Sequence, residues 1–210
     1  MNLDFERKEE INYSIIIPHK NSTVLLERCL KSIPCRKDVQ VIVVDDNSEN
    51  QEELNAVVGG FSQVELILTQ GGGAGHARNE GLKYIRGKWV LFADADDFYN
   101  KNAFSILDNY INSDNDVIYF FANSLDVNTL LPTPREKDLQ NIYEKYDSDN
   151  IRSADYIRFK NWAPWNKMIK KELICEDVEF EEIEKGNDAL FSVRVGYRST
   201  NIKAVSYTHL

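Results

Sequence analysis

Cysteine is scarce in this sequence: Cys29, Cys35 and Cys175 are odd in number and lack paired-ligand spacing. That argues against a disulfide framework or a zinc site and fits a reduced, cytoplasmic compartment. Basic residues are also in short supply, 25 against 34 acidic ones, for a net charge of −9. Such a balance opposes DNA or RNA, whose phosphates are met by Lys and Arg. A ligand with only two phosphates stays open, because one Arg, a helix amino end or a divalent metal can supply local positive charge. No stretch approaches the ~20 apolar residues of a membrane span. The amino end, MNLDFERKEE, is charged where a signal peptide needs an apolar run. The chain therefore reads as cytoplasmic, free or at the inner membrane surface. No repeat of solenoid period is present.

What the sequence does contain is a globular composition, 42% hydrophobic and 28% charged, and 210 residues suffice for one substantial core. Tyr13 to Pro18, YSIIIP, is apolar on both faces, as expected of a strand inside a parallel sheet. Ser22 or Thr23 can cap the next helix, which Pro34 stops. The alternation continues with strand Val39 to Val44, helix Glu52 to Val58 and strand Val64 to Leu68. The glycine turn Gly71 to Gly75, a helix from about His76 to Ile85 and the strand Trp89 to Phe92 follow. Beyond them lie an amphipathic helix around Ala103 to Ile111 and a strand Val117 to Phe121. From Leu125 to Asn150 the pattern weakens into a polar surface excursion or lid. Periodicity then returns through WAPWNKMIKKELI, a helix after Asp188 and a last strand near Ile202 to Val205.

Four patches bear chemistry. Asp94-Ala95-Asp96-Asp97 directly follows the buried strand WVLF, at the carboxyl edge where α/β sheets bind ligands. Crowded carboxylates raise one another's pKa unless a cation such as Mg²⁺ or Mn²⁺ intervenes; the plainer reading is an acidic helix-capping loop. Asp45-Asp46 ends the strand VIVV and either accepts hydrogen bonds from a ribose or base, or merely forms a turn with Asn47. In GGGAGHARNEGL a loop without β-carbons meets a helix amino end, so backbone N–H groups near Gly75 could approach a phosphate, with Arg78 in the first turn. Arg78 stands where a dinucleotide fingerprint needs its third glycine, so that fingerprint is rejected. Asp188, in Gly186-Asn187-Asp188, is a helix N-cap or a functional carboxylate.

In order, IPHKN at 17–21, VVDDNS at 43–48, GHARNEGL at 75–82, DADD at 94–97 and WNKMIKKELI at 165–174 resemble the family 2 glycosyltransferases. The likeness runs from Tyr13 to about Val205. It implies an α/β fold of the GT-A type, a Rossmann-like, mostly parallel sheet flanked by helices. The division it implies is a charged tail at 1–12, a nucleotide-sugar-binding half at 13–122 and an acceptor-side half of the same domain at 123–210. The implied reaction is inverting transfer from a nucleoside-diphosphate sugar, a UDP-sugar by preference, to a carbohydrate or lipid-linked acceptor in surface polysaccharide or glycoconjugate synthesis. Pro18, His19, Asp45, Asp46, Gly75, Arg78, Asp94 and Ala95 then fall to the nucleotide. Asp96, with Asp94, falls to a Mn²⁺ or Mg²⁺ ion, and Asp188 to the general base.

Three departures qualify the likeness. Asn187 stands where Glu commonly precedes the base, no Q-x-x-R-W stretch of a processive synthase follows, and the ending SYTHL reads as a truncated gene fragment. The alternatives are a catalytically impaired nucleotide-sugar-binding module, a nucleotidyltransferase (whose glycine- and Arg-rich signature is missing after the first strand) and a structural domain with acidic turns.

Overall fold

A computed structural model describes residues 10–126, 129, 131–146 and 150–205. The first nine residues of the expected tail, and SYTHL, lie outside the described residues. Strands β1 (Tyr13–His19) and β2 (Val39–Asp45) are β-branched runs buried on both faces, which places them inside the sheet. With β3 (Val64–Leu68), β4 (Trp89–Phe92), β5 (Val117–Phe120), β6 (Lys167–Lys170) and β7 (Ile202–Val205) they form one sheet in the order β3-β2-β1-β4-β6-β5-β7. Only β6 runs antiparallel to its neighbours, so the sheet is mostly parallel, as the alternating pattern implies.

The helices divide between the two faces because strand residues alternate. Ile15, Ile17, Val41 and Leu91 pack on α1 (Thr23–Ser32), α2 (Gln51–Val58) and α4 (Ala103–Leu107). Ile16, Ile42, Val90 and Phe92 pack on α3 (Gly73–Leu82), α5 (Pro134–Glu144), α6 (Ile151–Lys160) and α7 (Ala189–Arg198). Parallel strand order reverses direction at β1, between β2 and β4. Such a switch point opens a crevice at the carboxyl strand ends, and β1, β2 and β4 deliver His19, Asp45 and Asp94 there.

Three local expectations need correction. Ser22 occupies the N-cap position of α1 as expected, but its side chain makes no capping bond; its backbone N–H donates to His19 Nε2 at 3.2 Å. The helix expected from His76 begins at Gly73, so part of the glycine run is the first turn of α3. The polar stretch after Leu125 holds α5, which Pro134 opens and which buries only Leu139 and Tyr143, one turn apart. With half-buried Ile142, three apolar contacts confined to the last six residues are too few to register as periodicity across the helix.

Candidate active site

At the ends of β1 and β2 two loops interlock. Asn21 (φ 50°) and Asn47 (φ 63°) adopt the left-handed conformation that Asn tolerates better than most side chains. The Asn21 N–H donates to Ser48 Oγ at 2.8 Å, and Asn21 Oδ1 accepts from the Glu49 N–H at 2.9 Å. His19 is buried, with Nδ1 2.8 Å from Asp45 Oδ1 and Nε2 accepting from Ser22. Both ring nitrogens are satisfied only if Nδ1 carries the proton, so His19 is a neutral strut. Asp45 also accepts from the Ser48 N–H and Oγ and from Gln51 Nε2 at 2.7 Å. Burial alone would raise its carboxyl, but the bonds from Ser48, Gln51 and His19 outweigh burial and hold it below the usual carboxylate range.

A depressed carboxyl stabilises the fold above its unfolded value and loses that contribution as pH falls through the folded one. Asp45→Asn should therefore cost about 2 kcal/mol at pH 7, or about 4–8 °C of melting temperature. The gap should narrow below about pH 4, where the wild-type carboxylate protonates; equal melting temperatures at pH 7 would remove the network's structural role.

Asp46 points the other way. Its Oδ1 accepts from the Gly73 N–H at 3.0 Å and its Oδ2 from Lys20 Nζ at 3.2 Å. Gly72 (φ 138°) and Gly73 (φ 85°) lie where side chains are strained, and this turn swings α3 toward the carboxyl edge. Asp46 thus ties β2 to the amino end of α3.

Helix α3 is also the dock for the segment that carries Asp188. Buried Arg78 donates from Nη2 to Asp94 Oδ1 at 2.5 Å and from Nη1 to Asn187 Oδ1 at 3.0 Å, with its guanidinium over the Phe180 ring. Asn79 brackets the Phe180 backbone, accepting from its N–H at 2.8 Å and donating to its carbonyl at 2.9 Å. His76 meets Glu182 at 3.1 Å. A β-carbon on Gly75 would stand 2.2 Å from the Glu181 carbonyl oxygen, so the space that glycine leaves is filled by this segment. Arg78, expected at the base or diphosphate, spends its hydrogen bonds on Asp94 and Asn187, and its Nε has no partner.

The acidic turn after β4 is compact. Asp97 Oδ2 accepts from the Asp94 N–H at 3.2 Å, and Arg28 donates to the Asp96 carbonyl while stacking on Phe98. Burial and then the charge of Asp94, with a further push from Asp96, lift the Asp97 carboxyl to about 7. Ala95 is buried against the core, whereas the Asp96 side chain is exposed. A cavity of about 460 Å³ opens here, lined among others by Asp94, Asp96, Asp97, Arg28, Arg135 and Trp165. Arg135, on α5, stacks on Trp165 at 5.2 Å. Among the described residues no three His, Cys, Asp or Glu side chains converge as a ready cation cage.

Asp188 occupies the N-cap position of α7, yet its dihedrals are helical (φ −90°, ψ −19°) and its side chain makes no capping bond. The structure so joins Asp46, Arg78, Asp94 and, through Asn187, the Asp188 loop around one helix. Sequence reading passed over Asn79, although it lies inside GHARNEGL, and over Phe180; both act across more than a hundred residues.

Residues 14–174 match the model of glycosyl transferase family 2. The chain belongs to that family. A relative in Campylobacter jejuni, GalNAc(5)-diNAcBac-PP-undecaprenol beta-1,3-glucosyltransferase, is 29% identical over 87% of this chain and 59% of its own length. The chain spans a little over half the length of some curated relatives that it matches and less than a fifth of others. Its fold is the GT-A type of S. aureus TarS 1-349 in complex with UDP-GlcNAc: TM-score 0.74 at 22% identity, covering 94% of this chain and 57% of that one. Mannosyltransferase PcManGT from Pyrobaculum calidifontis, solved with GDP-Man and Mn²⁺, matches at TM-score 0.66 and 17% identity over 93% of this chain and 55% of that one. Among the described residues no helix is long and apolar enough to cross a membrane.

Proposed function

We propose that this chain is the transferase domain of an inverting enzyme that moves a sugar from a nucleoside diphosphate, UDP by preference, to an acceptor hydroxyl. The observation that carries the reading is Arg78, which links Asp94 on the donor edge to Asn187 beside Asp188. Pro18, the His19–Asp45 strut and Asp46 shape the nucleotide end, with Asp46 nearest the base. Asp94 and the Ala95 backbone face the ribose and diphosphate. Arg78 contributes to nucleotide binding by setting the position of Asp94, and Gly75, which the resemblance gives to the nucleotide, leaves room on α3 for the 180–187 segment. Asp188 takes the acceptor proton as the hydroxyl attacks the anomeric carbon, the kind of step in which a placed base is worth ~10²–10⁴-fold.

A divalent cation, Mn²⁺ or Mg²⁺, would be held by Asp96 with Asp94, and when bound it neutralises charge on the departing diphosphate. The residues fit such an ion: Asp96 is exposed to the cavity, and Asp97, lifted first by burial and then by the charge of Asp94, completes an acidic turn. Mg²⁺ commonly takes one or two carboxylates and completes its shell with substrate phosphates and water, so a full protein cage is unnecessary.

The acceptor is a carbohydrate or lipid-linked glycan, and the site works at the cytoplasmic face of the inner membrane in surface-glycan synthesis. The undecaprenol-linked substrate in the name of the Campylobacter relative supports this.

Calorimetry with UDP and GDP, with and without Mn²⁺, tests the donor reading. UDP should bind tightly only with Mn²⁺, and Asp96→Ala should weaken that binding at least about tenfold, the loss of one charged ligand. Equal binding by wild type and Asp96→Ala would remove the metal assignment, and no binding of either nucleotide would remove the donor site.

A further inference from the structure

Lys167, in the WNK stretch, is fully buried on β6 and has no carboxylate in contact. Its ammonium donates to the Asn161 carbonyl at 2.8 Å and to Ser192 Oγ at 3.2 Å, and lies 5.4 Å from the Tyr119 ring centroid. Ser192 Oγ in turn donates to the Trp162 carbonyl at 2.5 Å, and the Ser192 N–H donates to the Asp188 carbonyl at 3.0 Å. One cation therefore fastens the turn after α6 to the first turn of α7, directly behind Asp188. Burying an ammonium with only neutral partners is costly, and a methionine would fill similar space without that cost. A costly group kept where a cheaper one fits points to function.

We propose that Lys167 is a positioning residue, which holds the start of α7 so that the Asp188 carboxylate faces the acceptor; this rests on Asp188 being the base. The groups that face Lys167 are Asp188 at the start of α7 and Tyr119 on β5, with Arg158 of α6 acting on Tyr119. Burial lowers the Lys167 ammonium to about 7, with the Asp188 charge pulling it back up. A lysine depressed in this way costs the fold stability below its unfolded value, most of all where it is charged. Its removal should therefore stabilise the chain at pH 6 and have little effect near pH 10.

The test compares the intact chain with Lys167→Met, Lys167→Gln and Asp188→Asn. It follows melting temperature, hydrogen exchange of the Ser192 amide and release of UDP from UDP-GlcNAc and UDP-glucose. Lys167→Met should melt no lower than wild type at pH 6 yet exchange the Ser192 amide about tenfold faster. It should lower kcat for UDP release about ten- to a hundredfold at unchanged donor KM. Lys167→Gln, which keeps a donor, should recover part of the protection. Unchanged Ser192 exchange in Lys167→Met overturns the clamp, and a broad fall in melting temperature and protection shows the lysine to be structural only. Full activity in Asp188→Asn with lost protection in Lys167→Met would instead sink the base assignment and leave the clamp standing.

Discussion

Asp188→Asn should leave UDP binding within about twofold of wild type and reduce sugar transfer or donor hydrolysis by about 10²–10⁴-fold. The exchange keeps side-chain volume while removing the carboxylate's charge and its capacity to take a proton. No capping bond is lost, because the Asp188 side chain makes none to α7, where a true N-cap would cost about 0.5–2 kcal/mol; any fall in stability should come from the lost pull of its charge on the Lys167 ammonium and fade as pH rises. Donor affinity should be spared because the nucleotide end is built from β1, β2 and β4, whereas Asp188 reaches that edge only through Asn187 and Arg78. The measurement is a paired one, calorimetric binding beside UDP release. A parallel fall in both would make Asp188 a donor contact. Undiminished turnover would remove it as the base, and a wild type that binds UDP-sugar without turnover would favour the binding-module reading.

Much of the frame could be read from the chain because buried parallel strands announce themselves locally. YSIIIP, VQVIVV and WVLF are apolar on both faces, and the carboxylates that follow the latter two necessarily sit at one sheet edge. Ser22 holds the N-cap position of α1 as read, though its side chain makes no capping bond. A boundary failed where a local signal had a competing partner. Gly73 reads as loop, but Asp46 receives its N–H and lets the helix start there. Helix α5 was hidden because so little of it is buried. The acidic and glycine patches were legible as patches, yet their partners were not. Asn79 with Phe180 and Arg78 with Asn187 join residues 101 and 109 positions apart, a separation no local periodicity reports. The burial of Lys167 is set by tertiary packing that the stretch KMIK does not report: β6 lies between β4 and β5.

Gly75→Ala separates two meanings of the glycine-rich helix start. If Gly75 serves chiefly to let backbone N–H groups approach a phosphate, an added methyl weakens donor binding and raises KM. The structure places another neighbour there: the new β-carbon would meet the Glu181 oxygen at 2.2 Å and its carbonyl carbon at 3.1 Å, and crowd the Asn187 β-carbon at 3.2 Å. A backbone oxygen cannot rotate away as a flexible side chain can, so the 180–187 segment must retreat by roughly 1 Å to restore ordinary contact distances. Asn79 and Arg78 pull that segment onto α3, and Asp188 follows it by one residue. A displacement of that size at a reacting group costs about 10²-fold in rate. Gly75→Ala should therefore lower kcat about a hundredfold with UDP affinity nearly intact, and the Arg78–Asn187 bond should be the first to lengthen. Loss of UDP affinity with normal turnover at saturating donor would instead return Gly75 to the phosphate.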